Sequence, residues 1–253
     1  MEKQKLPPHT ITLKKRDILE RRNHLKDDFY HALTVLGSEK RFGQLLMNPN
    51  DFSFVEDLFI EIVLNEKVYA LLQTLKSWEK YSYFHSIDVF ISGILVLKEF
   101  QAANLETLGA GLLLHDIGKI EIPKEILAKP ESLSDDEFVK VMEHPLKGYE
   151  ILKKYSFSDQ ICNMARDHHE RLDGTGYPYQ ITEKDIPIET KILMIVDVYS
   201  ALTLERPYRP PMSAPDAMQV LLNDSCQFDT QCLDKFMNMV DIFPEKTAVP
   251  SFS

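Results

Sequence analysis

The sequence predicts an all-α protein with a small N-terminal helical domain, and three observations carry that reading. Apolar residues recur at helical intervals along most of the 253 residues. No stretch shows the sustained alternation of a half-buried strand. Several helix starts and stops are written explicitly as capping pairs, prolines and glycines. A hydrophobic content of 44% beside 27% charged residues suits a sizeable core. The distribution of histidine and glycine puts a division near residue 76, giving expected units 1–75 and 76–253.

Taken in order, Ile18, Leu25, Phe29, Leu33 and Leu36 share one face before Gly37, which reads as a helix with a glycine stop. Ser53 followed by Glu56 has capping-box spacing, and the apolar period then runs from Phe54 through Trp78 as one helix. Beyond residue 80, helices are expected over His85 to Phe100, Leu105 to Leu114, Asp135 to Glu143, Asp159 to His169 and Pro187 to Leu204. Ser134 and Glu137 form a second capping pair, and Pro187 suits a first helical turn. His144 is expected to end a helix against Pro145. The conspicuous loop is Asp173-Gly174-Thr175-Gly176-Tyr177-Pro178.

Charge and cysteine content exclude several function classes. The net charge of -10 argues against a protein wrapped along a nucleic-acid polymer, and a phosphate-bearing ligand would need local positive charge or metal. Three cysteines, irregularly spaced, make neither a disulfide framework nor a thiolate zinc site. The start Met1-Glu2-Lys3-Gln4-Lys5 has no apolar signal core, and the apolar runs are too short to insert into a bilayer. A cytoplasmic location is the expectation.

Five of the 8 histidines and two aspartates stand in contexts that favour metal binding. Leu108, Leu112 and His115 share a helix face, so His115 points inward, and Asp116 follows it with a carboxylate able to bridge two cations. Ile161, Ala165 and His168 likewise share a face, with His169 adjacent. His85 opens an apolar helix, His144 precedes Pro145, and Asp197 interrupts the run Ile192 to Ala201, where an unpaired carboxylate would cost several kcal/mol. Imidazoles and carboxylates without thiolate suit Fe, Mn or Zn, and a shared aspartate suits two metals. The plainer alternative for His115 is an imidazole that satisfies carbonyls at a helix end. His24 and His31, without such company, read as surface residues.

His115-Asp116-Ile117-Gly118-Lys119 resembles the signature of the HD superfamily of metal-dependent phosphohydrolases. His168-His169-Glu170-Arg171-Leu172-Asp173-Gly174-Thr175-Gly176-Tyr177-Pro178 resembles the defining motif of its HD-GYP subfamily. The likeness continues through Lys129-Pro130, His144-Pro145, Asp197-Val198-Tyr199 and Arg206-Pro207-Tyr208-Arg209. It implies an HD-type helical bundle that hydrolyses cyclic di-GMP, a bacterial second messenger, to pGpG and in some members to GMP. It also implies a centre of two or three divalent transition metal ions, Fe or Mn, held by His85, His115, Asp116, His144, His168, His169 and Asp197, with Asp116 bridging. Lys119 would approach the scissile phosphate, making it and Asp116 the catalytic pair. Tyr177 would shape the substrate rim, and Arg206 and Arg209 would contact phosphate or guanine.

Two departures from the family pattern bear on this. Tyr81 replaces a glutamate that supports a third metal in some members, which favours two metals. Ser200 replaces an aspartate on the face of Asp197, where it is expected at the substrate end and cannot hold Arg206 as a carboxylate would. The alternatives are a metal-containing cyclic dinucleotide receptor with little turnover, or a phosphodiesterase preferring mixed cyclic GMP-AMP. A homodimer or a signalling partner would be reached through the N-terminal domain, whose default role is packing.

Overall fold

The computed structural model describes residues 15–37, 42, 45–46, 48–205 and 210–240. Among these every regular element is helical: α1 (Lys15–Leu36), α2 (Pro49–Leu64), α3 (Glu66–Trp78), α4 (Lys80–Glu99), α5 (Leu105–Leu114), α6 (Lys124–Leu127), α7 (Asp135–Val141), α8 (His144–Lys154), α9 (Asp159–Asp167), α10 (Ile188–Thr203), α11 (Ala214–Asn223) and α12 (Thr230–Val240). A 3-10 turn, Ile117–Glu121, follows α5. No helix among the described residues is long and apolar enough to cross a membrane.

The buried helix α4 organises the bundle, packing against α3, α5 and α10, while α9 packs against α5 and α8. Nearly every residue of α4 from Ser82 to Leu97 is buried, as befits a helix apolar on all faces and enclosed by neighbours. The N-terminal helices join the same core through a line of rings: Phe29 of α1 lies 5.1 Å from Phe59 of α2, which lies 5.9 Å from Phe90 of α4. Leu25, Phe29, Leu33 and Leu36 are buried as the spacing requires, and Gly37 closes α1 at φ 63°. The side chain of Ile18 lies outside the described residues.

Four expected boundaries are corrected, the first being that of α4, which begins at Lys80, so that His85 lies inside the helix rather than opening it. The helix expected from Phe54 through Trp78 begins earlier, at Pro49, capped by Asn48, so Ser53 is an interior residue. It also breaks at Asn65, whose side chain accepts from the backbone N–H groups of Lys67 and Val68 and starts α3 afresh. His144 begins α8 rather than ending a helix, because Pro145 lacks the N–H that a first turn leaves unpaired anyway. The Ser134 and Glu137 capping box is present, with both reciprocal bonds made.

Candidate metal centre

Three helix ends and two helix interiors deliver the expected ligand residues to one place. His85 lies in the second turn of α4, and Glu79 caps that helix by accepting from Tyr81 N at 2.7 Å and Ser82 N at 2.6 Å. His115 caps the C-terminal end of α5, Asp116 follows it, His144 starts α8, His168 and His169 follow α9, and Asp197 projects from mid-α10. His85, His115, Asp116, His144, His168 and Asp197 are all buried, and His169 keeps 20% of its side chain exposed.

Close approach of the two halves depends on glycine. A Cβ on Gly118 would stand 1.9 Å from the carbonyl oxygen of His144 and 2.5 Å from Gly148 N, so only a bare backbone lets the turn after Asp116 lie against the start of α8. Gly176 is similarly constrained, since its Cβ would meet Glu170 Cα and Arg171 N at 2.4 Å. That packing folds the loop back over the site. Tyr177 N donates to His169 O at 3.1 Å, and the Tyr177 ring stacks on His169 at 4.8 Å.

Two groups of donor atoms result, His85 with His115 and Asp116, and His144 with His168 and His169. Asp116 faces both. Its Oδ2 lies 3.7 Å from His85 Nε2 and 3.6 Å from His115 Nε2, whereas Oδ1 lies 3.2 Å from His144 Nε2 and 3.8 Å from His168 Nε2. Asp197 is 2.9 Å from His85 Nε2 and 3.7 Å from His115 Nε2 through Oδ1, and its Oδ2 is 3.8 Å from His169 Nδ1.

Hydrogen bonding tests whether cations fit. His115 Nε2 is buried and has no hydrogen-bond partner. His144 and His168 each turn Nδ1 to a backbone carbonyl, at 2.7 and 2.9 Å, and a carbonyl can only accept. With Nδ1 carrying the proton in each neutral ring, two Nε2 lone pairs face each other at 3.1 Å. An orphaned nitrogen and an opposed pair of acceptors beside two carboxylates are what divalent cations would satisfy.

The electrostatics agree with that donor set. Burial lowers the pKa of His85, and lowers those of His168 and His169 strongly, with the crowding of imidazoles reinforcing it for the last two. For His115 burial acts in the same direction, but Asp116 and Asp197 outweigh it and the pKa rises. Burial also opposes ionisation of Asp116, yet Lys119, His115 and His144 hold its carboxyl well below the usual range. Asp197 is held low against burial chiefly by His115 and His85.

Lys119 stands at the site on the 3-10 turn, its Nζ 2.5 Å from Asp116 Oδ2. Arg206 and Arg209 lie outside the described residues. Tyr81 lays its ring parallel to His85 at 5.9 Å. Ser200 is not at the substrate end as expected: it is buried, and its Oγ lies 2.8 Å from His85 Nδ1. Sequence reasoning also missed the role of Glu170, a buried side chain whose Oε1 accepts from Tyr179 N at 2.7 Å and ties the loop to the end of α9. Its only sequence signal is a charged residue directly after the His168-His169 pair.

A family model described as HD domain matches residues 85–232. A cyclic di-GMP phosphodiesterase of Pseudomonas aeruginosa is 31% identical over 216 residues, 84% of this chain and 52% of that protein. A 3'3'-cGAMP-specific phosphodiesterase of Vibrio cholerae is 39% identical over 124 residues, 48% of this chain and 29% of that protein. The match thus spans about half or less of these relatives' lengths. Among solved structures, an HDG"Y"P protein from Bdellovibrio bacteriovorus superposes with a TM-score of 0.56 at 17% identity, covering 90% of this chain and 74% of that one.

Proposed function

The chain belongs to the HD domain family, and from that premise we propose that it is an HD-GYP-type phosphodiesterase hydrolysing cyclic di-GMP to pGpG at a binuclear centre. The observation that carries the reading is the division of Asp116, Oδ2 toward His85 and His115 and Oδ1 toward His144 and His168. His85, His115 and Asp197 would hold one cation and His144, His168 and His169 the other, with Asp116 shared. Two divalent ions, Fe or Mn, supply charge compensation for a phosphoryl group and a hydrolytic water of lowered pKa when bound.

The chain's own residues account for the rest. Lys119 holds its ammonium beside Asp116 and can shift onto a non-bridging phosphoryl oxygen, adding positive charge where the transition state gathers negative charge. Tyr177, packed flat on His169, walls the exposed side of the site and limits how a nucleotide can lie there. Burial of the donor residues excludes bulk water from all but that side. Arg206 and Arg209 are kept as candidate contacts to phosphate or guanine.

Residues 1–75 are proposed as a helical unit that packs against the bundle, and the setting as the cytoplasm, where a bacterial second messenger would be met. Mixed cyclic GMP-AMP is the alternative substrate, favoured by the likeness to the 3'3'-cGAMP-specific relative. Anaerobically prepared protein loaded with Fe or Mn should cleave cyclic di-GMP faster than the mixed dinucleotide. A faster rate on the mixed dinucleotide would reverse the substrate order, and binding without cleavage of either would leave a receptor.

A further inference from the structure

His115, His144 and His168 orient their rings by one device. Each stands at a helix terminus or just beyond one, where carbonyls lack an intrahelical partner. Each Nδ1 meets the carbonyl three residues earlier, Leu112 at 2.8 Å, Val141 at 2.7 Å and Ala165 at 2.9 Å. The proton therefore sits on Nδ1, and Nε2 is left as the donor atom facing the carboxylates.

His85 cannot use that device. It lies inside α4, where the preceding carbonyls are engaged by the helix itself. Its Nδ1 instead meets Ser200 Oγ at 2.8 Å, a contact that spans 115 residues of sequence and is closed to solvent on both sides. Its Nε2 is the atom turned to Asp197 Oδ1, at 2.9 Å.

We propose that Ser200 is a positioning residue of the metal centre: its hydroxyl accepts the Nδ1 proton of His85 and makes that histidine an Nε2 ligand. This rests on the reading of the cluster as a metal centre. A flip of the imidazole about its Cβ–Cγ bond would exchange nitrogen for carbon at both positions, so that Cε1 rather than Nε2 met Asp197. The Ser200 bond opposes that flip, and the parallel Tyr81 ring keeps the imidazole plane in place while it does so. The serine at this position is thus a partner for a ligand of the centre, supplied from α10 because α4 has no free carbonyl to offer.

The test measures Mn2+ binding, by calorimetric titration and by metal content after chelator competition, for the parent protein, Ser200→Ala and Ser200→Thr. The parent should take two equivalents. Ser200→Ala should weaken one of them by about 10- to 100-fold and leave the other, as loss of a ligand's outer hydrogen bond does elsewhere. Ser200→Thr, which keeps the hydroxyl, should stay close to the parent. A measurement on the unaltered protein stands beside these: imidazole 15N resonances of the Zn2+-loaded parent should show His85 protonated at Nδ1 and metal-bound through Nε2. Undiminished binding of both equivalents by Ser200→Ala, or coordination of His85 through Nδ1, overturns the role of Ser200 and leaves the metal centre standing. A parent protein that takes up no metal overturns the metal centre and this proposal with it.

Discussion

Asp116 is the residue through which the two donor groups meet, so its loss should be felt at both. Asp116→Ala is expected to abolish binding of both cations, and its melting temperature should then be insensitive to added Mn2+. Retention of one equivalent in metal analysis would show that the groups bind independently. Lys119 is a contrasting case, a half-buried ammonium on a turn, paired with Asp116. Lys119→Ala should keep both metals and a melting temperature near the parent's while turnover falls at least about tenfold, the loss expected of one electrostatic contact to the transition state. Unchanged turnover would return Lys119 to a partner of Asp116 alone. His115 and His168 are legible because inward-facing helical spacing marks them, as in Leu108, Leu112 and His115, and Asp116 and His169 follow as their neighbours. The partner of His85 is not legible, since no local pattern announces a hydrogen bond between residues 115 positions apart.

At the level of elements, the turn Ile117–Glu121 and the start of α8 leave no room for a side chain at Gly118. Gly118→Ala places a methyl group 1.9 Å from a backbone oxygen that cannot rotate away. It should destabilise the protein by about 3 kcal/mol in denaturant titrations and separate His144 from Asp116, with loss of metal at that half. A variant as stable and as metal-replete as the parent would mean that α8 can move aside. The same region shows where local signals succeed and fail. The capping box at Ser134 and the glycine stop at Gly37 stand as read, because each is a chemical pairing confined to one turn. The break at Asn65 hid inside an unbroken apolar period, since the core needs Val63 and Val68 buried whether or not the helix is continuous. His144 was placed at the wrong end of its helix because Pro145 serves equally after a stop and inside a first turn.

For the molecule as a whole, the buried imidazoles set a pH dependence of the metal-free state. His85, His168 and His169 have lowered pKa values, so below their ordinary value of about 6.5 the unfolded chain takes protons that the folded chain refuses. Their contribution to stability is intact above about pH 6.5 and is lost as the pH falls. His115 acts with the opposite sign, and Asp116 and Asp197 add a further loss only below the usual carboxylate range. Chemical denaturation of chelator-treated protein should therefore give a midpoint that holds near neutrality and declines toward pH 5. A midpoint constant or rising over that interval would show that the imidazoles take up protons freely in the folded state. The contact of His85 with Asp197, 112 positions away, carries a consequence for biosynthesis. A nascent chain that has not yet released Asp197 from the ribosome would lack one carboxylate of the donor group built on His85 and His115. In the proposed centre, the half held by His144, His168 and His169 would have its donors once residue 169 is made, whereas the half that uses Asp197 would be completed only after most of the chain has been synthesised.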